Sequence, residues 1–266
     1  MNKTISSLAA VLAMASFAHA GTSGPASSGK ACPMCTAPAA DENLGLGLGL
    51  SYDSHYIFRG LLFGESYISG GLDYSLSLTE TVRLDLDARY GILAGDDDFS
   101  GGLLDYERLE LGAGLVTDLG PVELGLGYRY YQHNNDLSVL LNDTHEVALS
   151  IATEVSGVTL GLAGYYDVTN EGFYFEAKAA YEIKITECFS LVPAIGVGYA
   201  VDYNWQTIAP GLDGFTAVTA SVSAPIKLAN NVTLTPYIAG NLPVDALDDA
   251  GEDSQIFGGV SLSVRF

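Results

Sequence analysis

A chain of 266 residues is long enough for one large domain, and a formal charge of −21 excludes nucleic-acid binding, which needs a basic face. Its mean hydropathy of +0.24 is high for so acidic a chain. No apolar run of roughly 20 residues is present to form a transmembrane helix; from Leu44 onward the apolar residues recur at every second position instead.

Residues 1–20 read as a secretory signal peptide. Lys3 supplies the positive start, Leu8 to Phe17 the apolar core, and Ala18-His19-Ala20 the small-residue cleavage site. Residues 21–43, rich in Gly, Ser, Ala and Pro, are predicted to be a flexible periplasmic tail. They carry Cys32 and Cys35, spaced Cys-x-x-Cys. Thr36 stands where haem attachment needs His, and no βαβ pattern gives the pair a thioredoxin-like setting. A disulfide between Cys32 and Cys35 is one expectation. With Cys188 the count is odd, so the pairings 32–188 and 35–188 stay open.

Residues 44–266 are predicted to be all-β. Alternation with a period of two marks strands with two different faces. Twelve segments result: 44–58, 67–78, 82–93, 105–116, 122–132, 144–154, 158–168, 173–185, 189–200, 215–228, 232–241 and 255–266. Their connections alternate between short and long, apart from the short 169–172. Short periplasmic turns alternating with longer outer loops describe an up-and-down transmembrane antiparallel β-barrel. The residues 59–66 are read as the first outer loop. Twelve strands at ~4.8 Å spacing and ~40° tilt give a backbone radius of roughly 12 Å.

A soluble sandwich also alternates, so the charges must decide. Arg59, Arg83, Arg89, Arg108, Arg129, Lys178, Lys184, Lys227 and Arg265 all share the polar parity. Lipid imposes that rule, because a mid-membrane Arg or Lys on the outer face costs about 2–4 kcal/mol. The aromatic residues on the apolar parity gather toward both segment ends, as interfacial girdles do.

The inward parity is therefore the place to look for function. Its acids are Asp53, Asp73, Asp85, Asp87, Glu110, Glu123, Glu146, Asp167, Glu176 and Glu182, nearly balancing the nine bases. A register pairing Val116 with Glu123 sets Glu110 beside Arg129 and Gly112 opposite Gly127. No catalytic or metal motif appears among them, and no cofactor is implied. His55, His133 and His145 all fall near the long-loop end, with His145 on the lipid parity. The loops there carry Asp96, Asp97, Asp98, Asp136, Asp202, Asp213, Asp245, Asp248, Asp249, Glu252 and Asp253, and no Lys or Arg beyond the strand-end Arg59.

Ser54-His-Tyr56-Ile-Phe58-Arg59-Gly60, followed by Gly70-Gly-Leu-Asp73-Tyr74, resembles the first hairpin of the TorF-like porin family of bacterial outer-membrane β-barrels. That resemblance covers about 30 residues and implies a barrel more firmly than it implies transport. The final segment ends on Phe266 with Val264, Leu262 and Val260 at alternate positions. It resembles the signal read by the barrel assembly machinery, with Ser261 where that pattern often has glycine.

Together these readings place the chain in the bacterial outer membrane, among lipid and lipopolysaccharide. The expected role is a porin-like channel for passive diffusion of small polar solutes or ions, weakly cation-preferring. The competing expectation is a sealed structural, adhesive or receptor barrel whose charges close into ladders. An outer-rim hydrolase is the minor third. Arg introduced at Leu86, Leu111 or Leu162 is expected to harm assembly more than Arg at Ser77, Gly112 or Ala163.

Overall fold

The computed structural model describes residues 44–94, 106–134, 142–203 and 211–266. The expected signal peptide, the tail with Cys32 and Cys35, and the acidic run Asp96–Asp98 lie outside the described residues.

The chain runs through β1 (Leu46–Phe58), β2 (Leu61–Ser77), β3 (Val82–Leu93), β4 (Glu107–Asp118), β5 (Val122–Asn134), β6 (Thr144–Val155) and β7 (Val158–Asp167). It continues through β8 (Gly172–Tyr181), β9 (Ile183–Lys184), β10 (Ser190–Tyr203), β11 (Leu212–Ser223), β12 (Ile226–Ala229) and β13 (Val232–Pro243). A one-turn helix, α1 (Ala246–Asp249), precedes β14 (Gln255–Arg265). Two of the fourteen are continuations of a neighbour. Segment β9 resumes β8 past Glu182, and β12 resumes β11 past Ala224-Pro225, where proline supplies no N–H to the ladder.

All pairings are antiparallel, and β1–β14 and β11–β13 complete the circuit. The result is a closed barrel of twelve wall strands, as the segment count predicts. From the turn end up to the Asp53–Gly259 pair every described strand is paired on both sides, as a spanning β structure needs because lipid cannot hydrogen-bond a free backbone.

The faces are inverted relative to a soluble protein. Along β6, Thr144, Glu146, Ala148, Ser150 and Ala152 are buried, while His145, Val147, Leu149 and Ile151 alternate with them on the exposed side. Leu149 is 65% exposed, while Glu146 is 0% exposed. Apolar residues outside and polar ones inside fit hydrocarbon surroundings and would be unstable in water. Tyr90, Tyr128, Phe173, Phe175, Tyr199 and Phe215 are exposed on this face toward the outer end, and Tyr181 and Phe266 toward the turn end.

Two expectations need correction. Residues 59–66 are not an outer loop: β2 begins at Leu61 and only Arg59-Gly60 separates it from β1. The β4–β5 register is also shifted by two, since Val116 pairs with Gly125, Gly112 with Arg129 and Glu110 with Tyr131. The strands run on to Asp118 and Val122, so the turn between them is tighter than the expected five residues. Glu110 and Arg129 still meet, diagonally, at 3.4 Å.

Candidate functional site: a lumen closed at its outer half

The charged residues of the inward parity come together in a ladder along the barrel axis. Near the short-turn end, Arg265 bonds Asp73 across β14, β1 and β2. Arg83 meets Asp85 at 3.0 Å and Glu123 at 2.9 Å. One level up, Arg129 sits 3.4 Å from both Asp87 and Glu110, and Glu110 lies 3.1 Å from Arg108. On the far wall Lys178 pairs with Glu176 at 3.1 Å, and Lys184 with Glu182 at 3.7 Å.

Water access falls along this ladder. Side chains of Arg265 and Asp73 are 38% and 44% exposed. Those of Arg129 and Glu110 are 15% and 9% exposed, and Arg108 is fully buried. Arg59 and Glu146, at the outer half, are each 1% exposed. Along β13, β14 and β1 to β3, the lower lumen holds a pocket bordered by Ser51, Asp53, Asp73, Arg89, Tyr237 and Arg265. The upper lumen is filled.

What fills it is the tip of the β1–β2 hairpin. From Tyr56 to Gly64 every residue is buried except the half-buried Leu62, so both faces of the hairpin are covered. Arg59 and Gly60 form its turn with φ of 55° and 90°, the pair of positive values that a two-residue hairpin turn needs. Arginine is an unusual occupant of that backbone region, costing of order 1 kcal/mol or more. Its side chain supplies the reason.

The Arg59 guanidinium reaches across the lumen and donates both terminal nitrogens to Glu146, at 2.5 and 2.6 Å. It also donates to the Tyr203 hydroxyl, which in turn donates to Glu146 at 2.9 Å. Rings of Tyr165, Tyr174, Tyr203 and Phe58 surround its carbon at 4.6 to 5.0 Å. Such a fork matches a carboxylate's two oxygens, and the ring faces favour a poorly hydrated cation.

Arg108 repeats the theme beside it, 3.9 Å from Phe58 and 4.2 Å from Tyr131, and donates to the Tyr56 hydroxyl at 2.7 Å. Tyr56 stacks on Tyr67 with centroids 4.0 Å apart. Above the tip, Leu247 of α1 is fully buried, and the Asn241 amide donates to the Gly60 carbonyl at 2.9 Å. A Cβ at Gly60 would come within 2.8 Å of both Ala217 and Leu247, so only glycine fits there. Glu252, in the same outer loop, bonds the Leu62 backbone; burial raises its carboxyl above the ordinary range while that bond lowers it.

The three histidines among the described residues share no site. His55 lies 3.6 Å from Glu65, buried His133 meets the Tyr106 hydroxyl at 3.0 Å, and His145 sits on the lipid face beside Tyr128. Cys188, in the turn before β10, is disulfide-bonded.

No family model and no curated protein sequence matches the chain. Solved structures do resemble it. An outer-membrane channel from Pseudomonas putida F1 superposes with a TM-score of 0.57 at 14% identity, covering 86% of this chain and 100% of that one. LpxR from Salmonella typhimurium superposes at 0.50 with 10% identity, covering 83% and 100%. At these identities the likeness is one of fold. It agrees with the closed circuit and the inverted faces: the chain has the fold of the outer-membrane β-barrels.

Proposed function

We propose that the chain is a porin-like channel for small polar solutes or ions, shut at its outer half in this structure. The observation that carries this reading is the fall in exposure through successive clusters of lumen ion pairs, from Asp73 and Arg265 to Arg59 and Glu146. Solvent-exposed lumen charges lie below the closure, and the closure is built from a hairpin tip instead of the wall. The first-hairpin motif, which includes Tyr56, Phe58, Arg59 and Gly60, supports kinship with the TorF-like porins.

The outer end adds a sign. Asp202, Asp213, Asp245, Asp248, Asp249, Glu252 and Asp253 surround it with no base among them. A negative mouth concentrates cations over about a Debye length, ~10 Å at 0.1 M salt. The channel is therefore weakly cation-preferring, and the preference fades toward 1 M salt, where screening shortens to ~3 Å.

A second reading, a sealed structural barrel, draws on the ion pairs themselves, because charges paired at both ends of the ladder can hold a barrel closed permanently. Flux separates the two. Proteoliposomes loaded with K⁺ or a small sugar should leak over minutes, faster for K⁺ than for Cl⁻ at low salt and without that bias at 1 M. Vesicles no leakier than protein-free controls would leave the structural barrel; anion preference would transfer control from the mouth to the lumen arginines.

A further inference from the structure

The bases of the lumen are not all engaged alike. Seven of the nine on the inward parity hold a carboxylate oxygen at 3.7 Å or closer, from Arg265 at the turn end to Arg59 at the hairpin tip. Half-buried Arg89 of β3 forms no such ion pair among the described residues. The acids around it are engaged elsewhere. Asp73 accepts from Arg265, Asp87 accepts from Arg129 at 3.4 Å, and Glu110 faces Arg108 and Arg129. Asp53 accepts from the Tyr237 hydroxyl and, at 3.5 Å, from Ser51.

Arg89 also borders open space. It stands opposite Gly71 in the β2–β3 register, Gly71 stands opposite Gly49, and Gly49 stands opposite Ser263 of β14. Two positions further toward the outer end, Ser69, Ser51 and Ser261 continue the same inward face. Small side chains on neighbouring strands thus leave a hollow of about 100 Å³ along the wall, the pocket bordered by Arg89, Ser51, Ser69 and Tyr237. A Cβ at Gly49 would meet nothing within 4 Å. The hollow has room for roughly three waters at ~30 Å³ each, which is the size of a carboxylate or phosphate group. A guanidinium carries five donors and no acceptor, in a fork that fits two oxygens of one anionic group. Water screens a half-buried charge only in part, so an oxyanion gains more there than in bulk solvent.

We propose that this hollow binds the oxyanion group of a small solute, a carboxylate or a phosphate, with Arg89 as its fork and the Ser51–Ser69 hydroxyl pair, joined at 2.8 Å, beside it. The site narrows the channel reading above to solutes that carry such a group, and it rests on that reading for their passage alone. Binding itself needs only access to the lower lumen, so the two fail separately. The acidic mouth still favours small cations, because it acts on ions in free solution while the hollow holds one group at a time.

Broadening of ligand NMR lines tests binding without any flux, on the full-length protein in detergent verified as folded by heat-modifiable gel migration. The probes are inorganic phosphate, isotope-labelled acetate and, as a neutral polyol, glycerol. Phosphate and acetate should each broaden saturably and displace one another, while glycerol should do neither. Arg89→Gln should weaken both affinities at least tenfold, as loss of a charge-assisted fork does. Since Arg89 holds no ion pair, that change strands no carboxylate. Gly49→Gln, which fills the hollow and leaves every charge in place, should weaken them as much. Lys184→Gln removes a positive charge outside the hollow, on a side chain 68% exposed, and should leave both affinities within about twofold. A loss in Lys184→Gln as large as in Arg89→Gln would replace the site by the general field of the lumen and overturn it. So would a natural protein without saturable broadening, or glycerol competing as well as acetate. A protein that binds as expected yet leaks nothing from vesicles would lose the channel reading and keep the site.

Discussion

Replacing Glu146 by Gln should destabilise the barrel by about 3–5 kcal/mol, because Arg59 is then left charged and buried without its partner. The side chains are each 1% exposed and joined by two short bonds, so water cannot take over the lost interaction. Arg59→Gln should cost a similar amount, since it strands Glu146 and also empties the cage formed by Tyr165, Tyr174 and Tyr203. Both changes together should cost less than their sum by roughly 2–3 kcal/mol, the signature of a direct buried pair. Urea unfolding in detergent or lipid vesicles measures all three. Additive losses would mean that the two groups do not meet across the lumen. The contrast with Arg265 and Asp73 is part of the expectation. That pair is 38% and 44% exposed, and breaking it should cost well under the buried pair.

The second large effect is on assembly. Leu86, Leu111 and Leu162 are 40%, 41% and 51% exposed near the middle of β3, β4 and β7. Arg at any of them should cost about 2–4 kcal/mol, falling toward the strand ends. The inward controls must be chosen with the packing in view. A Cβ at Gly112 would lie 2.2 Å from an Asp87 carboxylate oxygen, and Ala163 is only 3% exposed, so Arg is poorly tolerated at both for reasons unrelated to lipid. Gly49, with open space around its Cβ position, and Ser77 at the turn end are the sound comparisons. The fraction that becomes heat-modifiable after refolding into vesicles reports the difference. Equal yields from Leu111→Arg and Gly49→Arg would contradict the assignment of faces.

The wall was legible in the sequence because one physical rule applies along its whole length. Lipid outside and water or polar contacts inside force a period of two, and residues such as Val147, Leu149 and Ile151 announce their face regardless of distant neighbours. The ladder was partly legible for the same reason: Glu110, Arg129, Arg83 and Glu123 share a parity. The exact register was not, since a hairpin shifted by two keeps every face unchanged. Only the turn length distinguishes the two, and Thr117 and Asp118 carry β4 past its expected end at Val116.

The lumen closure follows a different rule, and the parity argument reads past it. Long connections at the outer end are expected to be loops, and the alternation of turns puts residues 59–66 among them. Yet Tyr56-Ile-Phe58 and Leu61-Leu-Phe63 flank Arg59-Gly60 with apolar residues at consecutive positions. A wall strand has one apolar face and an exposed loop has none. Apolar residues on both faces around a tight turn call for burial on both sides, which at the outer end of a barrel is available inside the lumen. That signal was present in the sequence. The partner was not: Glu146 lies 87 positions from Arg59, and only closure of the barrel brings them face to face.

The claim on which the rest depends is that the first hairpin lies inside the barrel. Amide hydrogen exchange of the folded protein in detergent reads it directly, residue by residue over 56–64. The hairpin should exchange slowly, at rates comparable to wall strands such as β4 and β6, and far more slowly than the outer-loop residues 248–253. Exchange of 56–64 as fast as that loop would place the hairpin in water above the membrane and leave the lumen open.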